Sequence, residues 1–87
     1  MGRMVYAMDA FLCDEYSKKP CSIRISGAHV SECGHFYCNV SFAPLLCEDE
    51  RIFADSNEKA ISLAFKFLRL IALGLHVEDK DGNAVVI

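Results

Sequence analysis

Cys33, His35 and Cys38 form a Cys-x-His-x-x-Cys cluster, with His29 four residues before Cys33. Thiolate and imidazole are ligands that zinc selects, and a hairpin can converge such groups. The spacing departs from the paired Cys-x-x-Cys of structural zinc sites. Alternation along a strand also sends His35 and Cys38 to opposite faces, so their joint use requires a bulge. The expectation is a small buried cysteine at 38 and a surface histidine at 35, with no metal or other cofactor. A zinc- or thiol-dependent module built on Cys33, His35 and Cys38 stands as the alternative. The remaining cysteines offer less. Cys47 precedes Glu48, Asp49 and Glu50, the opposite of the electropositive setting that activates a thiol. Cys21 alternates with Ile23 and Ile25 on a core-facing side, and Cys13 and Cys33, expected to be the most exposed, have no convincing basic neighbour. No catalytic residue is assigned, and the chain reads as a protein other than an enzyme.

Two acidic groups remain. Glu48, Asp49 and Glu50 read as a solvated turn that can steer a basic partner, such as the nucleic-acid groove of a nuclease. Asp79-Lys80-Asp81-Gly82-Asn83 has the outline of a calcium loop but lacks the ligand series and the closing glutamate, so a turn is expected.

The bulk composition narrows the classes. Eighty-seven residues, 53% hydrophobic and 24% charged, make one globular domain spanning 1–87, near the lower size for a self-sufficient core. A net charge of -3 with nine scattered Lys and Arg excludes a phosphate-tracking surface, so no direct nucleic-acid partner is expected. Five cysteines are an odd set below disulfide-scaffold density. Asp9 interrupts the apolar N-terminal run, against a signal peptide, and Tyr6 stands where myristoylation requires Ser or Thr. Lys66 and Arg69 break the longest apolar stretch, so no membrane association is expected and the location reads as cytoplasmic.

These residues need elements to position them. Met4 to Leu12 reads as a first strand with Met4, Tyr6, Met8 and Ala10 inward, and Asp14 to Pro20 as a polar connection. Cys21 to Ser26 alternates cleanly, with Gly27 closing the strand. Ala28 to Gly34 is either a hairpin loop or the tail of that strand plus a turn. In His35 to Phe42, Phe36, Cys38, Val40 and Phe42 oppose His35, Tyr37, Asn39 and Ser41, the pattern of a sheet covered on one side. Arg51 to Phe53 is a short strand or extended lead-in. Asp55 to Gly74 forms one helix, capped by Asp55 or Ser56 with Glu58 at capping-box spacing from Asp55, and closed at Gly74. Leu75 to Val77 and Ala84 to Ile87 flank a turn as a short C-terminal hairpin. The fold class is α+β: an antiparallel sheet of three or four strands with one long helix packed across it.

The helix is unusual. Glu58, Lys59, Ser62, Lys66 and Arg69 fall in one wedge, leaving an apolar arc of roughly 260°, far wider than the stripe of an ordinary surface helix. Ala60, Ala64 and Ile71 centre that arc. Leu63, Phe67 and Leu70 form one flank, and Ile61, Phe65, Leu68 and Ala72 the other. A sheet of three or four strands leaves a flank uncovered, so these seven flank residues are the expected protein interface. The cover is the C-terminal hairpin, the first strand, or another chain in an isologous homodimer.

The stretch Phe53 to Ala72 resembles a family of small, functionally uncharacterised bacterial domains. In these, antiparallel strands lead into an Asp-Ser-x-x-x-Ala-x-x-Leu-Ala helix, matched here by Asp55, Ser56, Ala60, Leu63 and Ala64. The resemblance implies a fold and transfers no activity. The functional expectation is a small non-enzymatic protein-binding domain, in its most concrete form a toxin-neutralising or nuclease-blocking inhibitor of bacterial or phage type. Beside the zinc- or thiol-dependent module, the other alternative is a small-ligand pocket between helix and sheet.

Overall fold

The computed structural model describes residues 3–87; Met1 and Gly2, which enter the N-terminal reading, lie outside the described residues. Five strands and one helix follow in the order β1 (Arg3–Cys13), β2 (Lys18–Val30), β3 (Phe36–Ala43), β4 (Glu50–Ala54), α1 (Asn57–Ile71) and β5 (His76–Glu78). The fold is α+β, and the sheet has five antiparallel strands in the order β4-β3-β2-β1-β5 rather than three or four. The extra strand is β5, which leaves the helix and pairs with the outer edge of β1 at Phe11 to Cys13.

The strands alternate as their residues dictate. Cys21, Ile23 and Ile25 of β2 and Cys38, Val40 and Phe42 of β3 are buried together with Ala10 and Val77. The polar β1–β2 connection ends earlier than Pro20. Asp14 Oδ1 accepts from the Tyr16 and Ser17 amides at 2.8 and 2.7 Å, a tight turn that lets β2 begin at Lys18. Pro20 therefore lies within β2, opposite Phe11 and beyond the end of β3, where no ladder bond is asked of it. Nor does Gly27 end the strand. β2 continues to Val30, and the hairpin turn is the short Ser31–Gly34 segment, closed by Ser31 N–H donating to the His35 carbonyl at 2.8 Å.

Two bulges sit near this end of the sheet. In β2, Gly27 and Ala28 together oppose Cys38, between the pairs Ser26–Asn39 and His29–Tyr37. In β1, Val5 is the extra residue between the pairs Met4–Ser26 and Tyr6–Ile25. The second bulge corrects the inward set expected for β1: Tyr6, Met8 and Ala10 face the helix, while Met4 is turned out to solvent.

Helix α1 is shorter than the expected Asp55–Gly74. Ser56 is the cap, its hydroxyl accepting from the Lys59 amide at 3.2 Å. Asp55 forms no capping box with Glu58 and instead pairs with Lys59 Nζ at 3.2 Å. At the other end Gly74 takes φ +83°, a left-handed conformation that glycine adopts without a Cβ clash. Ala60, Ala64 and Leu68, four residues apart, are fully buried on β2, β3 and β4. The two alanines let the helix axis approach the sheet closely.

The C-terminal segment is half of a hairpin. Asp79 Oδ1 accepts from the Asp81 and Asn83 amides at 2.9 and 3.0 Å, so this carboxylate organises a turn rather than a cation site. The chain then returns beside β5 through a bridge from Glu78 to Ala84 and a bond from the Val85 amide to the Val77 carbonyl at 2.9 Å. The β5 edge is further pinned by Glu78, which holds Lys18 Nζ at 2.9 Å and His76 Nε2 at 2.6 Å.

Two predictions follow from these contacts. A Cβ at Gly27 would lie 2.8 Å from Cys38 Sγ in the core. Gly27→Ala is expected to lose about 1–3 kcal/mol in urea unfolding, and Cys38→Ala to cost less in that background than in the parent chain. Additive losses would show that the close approach is not limiting. The Lys18 ammonium, then His76, holds the Glu78 carboxyl down to about 2 from its ordinary 4.5. A depressed carboxylate stabilises the fold fully above its unfolded value and loses that contribution as pH falls through the folded one. Stability should therefore decline between about pH 4.5 and 2, with a shallower decline in Glu78→Gln when thermal midpoints are measured across that window.

Candidate functional site

The helix covers one face of the sheet; the opposite face carries the second half of each alternation. Ser22, Arg24 and Ser26 of β2, and Tyr37, Asn39 and Ser41 of β3, line it with Arg51 and Phe53 of β4. Most of this surface is small and polar, and its charged groups are largely matched. Arg24 pairs with Asp9 at 3.0 Å, and Lys18 with Glu78.

One row differs. His29, Tyr37 and Phe53 are direct cross-strand partners on β2, β3 and β4. The His29 and Tyr37 rings lie 4.9 Å apart and 22° from parallel; those of Tyr37 and Phe53 lie 5.2 Å apart at 41°. These spacings are close to the distance between neighbouring strands. The rings therefore stand on the sheet one per strand, His29 stacked on Tyr37 and Phe53 tilted against it. Arg51 places its guanidinium 5.1 Å from the Tyr37 centroid, a cation–π contact that adds a positive charge to the row. Phe53 ends the row on the outermost strand and remains 51% exposed.

His29 Nε2 approaches Ser26 Oγ at 3.4 Å and Asn39 Nδ2 at 3.5 Å. A serine beside a histidine invites a nucleophile–base reading, which requires a third group to orient the imidazole. Among the described residues no carboxylate bonds His29, and its ring is instead held by stacking on Tyr37. The arrangement can bind and orient, and it lacks the parts of a relay.

The cluster Cys33, His35 and Cys38 does not converge. Cys38 is fully buried beneath the helix, whereas Cys33 and His35 are exposed at the hairpin turn. Among the described residues no group of three His, Cys, Asp or Glu side chains is placed to hold a metal ion. Burial raises the Cys38 and Cys21 thiols above their ordinary range. Cys13, expected at the surface, is half-buried, and Cys47 is exposed. Between helix and sheet, Ala60, Ala64 and Leu68 pack without exposure.

The seven helix residues expected at an interface divide by position. Leu68 is a correction: it is wholly buried in the core and unavailable to a partner. Ile61, Phe65 and Ala72 are half-buried within the chain's own packing, Phe65 meeting the Tyr6 ring edge-on at 5.6 Å. Past them, Arg69 Nε donates to the Ile87 carbonyl oxygen at 3.0 Å, and Val85 and Ile87 pack against the core. The first strand and the C-terminal segment thus both cover this flank. Leu63, Phe67 and Leu70 form the other flank, turned away from β1 and towards the β4 side. Leu63 is 41% and Leu70 70% exposed, with Phe67 half-buried between them. Glu48, Asp49 and Glu50 are exposed where the chain enters β4.

The ring row escaped the sequence reading because strand register decides it. Tyr37 was legible as an outward residue, but its facing His29 depends on the bulge at Gly27–Ala28. Set against family models, curated proteins and solved structures, the chain matches none of them. Among the described residues no helix is long and apolar enough to cross a membrane.

Thiol placement gives a direct check. In the native protein Cys33 and Cys47 should react fastest with a disulfide reagent and Cys13 more slowly. Cys21 and Cys38 should react only on a timescale set by unfolding, with mass spectrometry assigning each site. Rapid modification of Cys38 would contradict its place in the core.

Proposed function

We propose that this chain is a non-enzymatic protein-binding domain that engages its partner through the flank Leu63, Phe67 and Leu70. The observation that carries this reading is the asymmetry of α1. One flank is covered by Tyr6, Val85 and Ile87, while the other leaves Leu63 and Leu70 in solvent. Neighbouring apolar side chains left exposed on one helix face are the anchors of helix-mediated recognition.

The partner that fits is a protein with an apolar recess bordered by basic residues. Glu48, Asp49 and Glu50 stand on the β4 side towards which the flank turns, and the whole chain carries -3. Acidic charge beside an apolar patch accelerates encounter with a basic surface and leaves most of the binding energy to the buried anchors. A nucleic-acid-cleaving toxin has such a surface, so an inhibitor of that class, acting in the cytoplasm, is the concrete form of the proposal. The exposed acidic run supports a protein rather than a nucleic acid as the direct partner.

The test pairs binding with folding. Leu63→Glu/Leu70→Glu should retain the parent circular dichroism spectrum and unfold at a similar urea concentration. It should also lose at least tenfold in affinity for a basic nuclease toxin that the parent chain inhibits, as loss of two anchors requires. Ser62→Gln, on the solvated wedge and without a change of charge, should bind as the parent does. Unchanged binding by the leucine variant would remove the flank from the proposal.

A further inference from the structure

The two edges of the sheet are unlike. On β5 the chain returns along the outer side, through the Glu78–Ala84 bridge and the Val85 bond. On β4 the described chain places no strand beyond Glu50–Ala54, so alternate N–H and C=O groups point away from β3. The strand is short and carries Glu50 and Arg51, but nothing in its backbone blocks further pairing. It contains no proline or glycine, and its register with β3 is unbroken over all five residues.

We infer that β4 pairs antiparallel with β4 of a second copy, Phe53 opposite Phe53, joining two five-stranded sheets into one of ten strands. This rests on the reading of the chain as a protein-binding domain and assigns a second, separate surface of it to self-association. The ring row gives the first reason. His29, Tyr37 and Phe53 stand one per strand, and the row stops at the edge with one face of Phe53 unused. An isologous pairing about Phe53 carries the row across the two-fold axis, from His29 of one copy to His29 of the other.

Charge gives the second reason, because it selects among registers. Arg51 and Phe53 share one side of the sheet, and Asp55, one residue past the strand, continues that alternation; the three registers centred on residues 51, 52 and 53 differ in the charges they oppose. Centring on Arg51 sets two guanidinium groups opposite each other. Centring on Ile52 sets Asp49 opposite Asp55. Centring on Phe53 sets Arg51 opposite Asp55 twice, Ile52 opposite Ala54 twice, and Glu50 opposite Ser56. Only this last register faces opposite charges and no like ones, the condition for stable cross-strand pairs. The axis then lies at the end of β4 from which α1 departs. Leu70, thirteen residues into the helix and about 20 Å along it, stays clear for the heterologous partner.

Sedimentation over a concentration series, together with hydrogen exchange, tests the inference on the full chain. A monomer–dimer equilibrium is expected, and amides within 50–54 should exchange more slowly as the dimer fraction rises. Arg51→Glu and Asp55→Arg should each weaken the dimer by roughly tenfold, since two symmetric pairs become repulsive in each. The double variant Arg51→Glu/Asp55→Arg should recover the parent affinity; loss in both single variants with recovery in the double is the pattern that the registers centred on 51 and 52 do not give. Circular dichroism confirms that each variant is folded. A monomer at every concentration, a dimer whose β4 amides are unprotected, or a charge swap without recovery would each overturn the edge pairing. Leu70→Glu alone, at the far end of the helix, should dimerise as the parent does while weakening partner binding, so failure of the partner reading and failure of this one are read separately.

Discussion

One extra residue in β2 sets the arrangement of both faces of the sheet. From Cys21 to Ser26 the strand alternates regularly, and continued without interruption it would set Ala28 opposite Tyr37 and turn His29 under the helix. The bulge at Gly27–Ala28 instead brings His29 to the open face opposite Tyr37. It is possible because Gly27 has no side chain at a point where Cys38 Sγ would lie 2.8 Å from a Cβ. A buried small thiol and a glycine thus share one van der Waals volume, and the ring row exists because they do. The neighbouring bulge at Val5 lies at the same end, and together they add local twist where α1 begins its passage across the sheet.

The elements that depend on periodicity were legible from the residues alone. Alternation in Cys21–Ser26 and in Phe36–Phe42 identified the buried set that the fold contains, and Gly74 takes the left-handed conformation expected of it, three residues beyond the helix end at Ile71. What the residues concealed depends on distant pairing. Met4 is turned outward by a bulge that no local pattern marks, and β2 runs through Gly27 because β3 is there to receive it. The C-terminal hairpin was legible from its turn, but the pairing of its first strand with β1 was not, because that depends on residues more than sixty positions away. Of the two caps that the residues offered, Ser56 takes the role, and Asp55 pairs with Lys59, four residues on, at 3.2 Å. Leu68 was assigned to a flank by angle, yet the sheet spreads under the helix widely enough to bury it.

The wide apolar arc of α1 proved to have two fates. Its Ile61, Phe65 and Ala72 side meets Tyr6 and the segment around Val85 and Ile87, so the chain supplies that cover itself. Among the described residues no comparable segment reaches Leu63 and Leu70. The difference follows from connectivity. Strand β5 and the return after it are led by the helix C-terminus to the β1 side of the sheet, leaving the β4 side to the short β3–β4 connection. That connection sends Leu46 inward and carries charge from Glu48 to Glu50, which makes it a poor cover for leucines.

The same asymmetry governs the sheet edges. A small domain with one helix leaves a whole sheet face in water, and small polar residues make that tolerable over most of it: Ser22, Ser26, Asn39 and Ser41. Aromatic rings there are tolerable only when their faces are covered, and strand spacing does this for His29 and Tyr37 by standing one ring against the next. Such a row has two ends. At His29 the ring is held by Ser26 and Asn39 as well as by stacking, whereas at Phe53 the last strand offers nothing beyond it. The exposed ring and the unpaired backbone of β4 therefore coincide for one reason. Both are the point at which lateral growth of the sheet stops, and a strand added there would satisfy the hydrogen bonds and cover the ring in a single step.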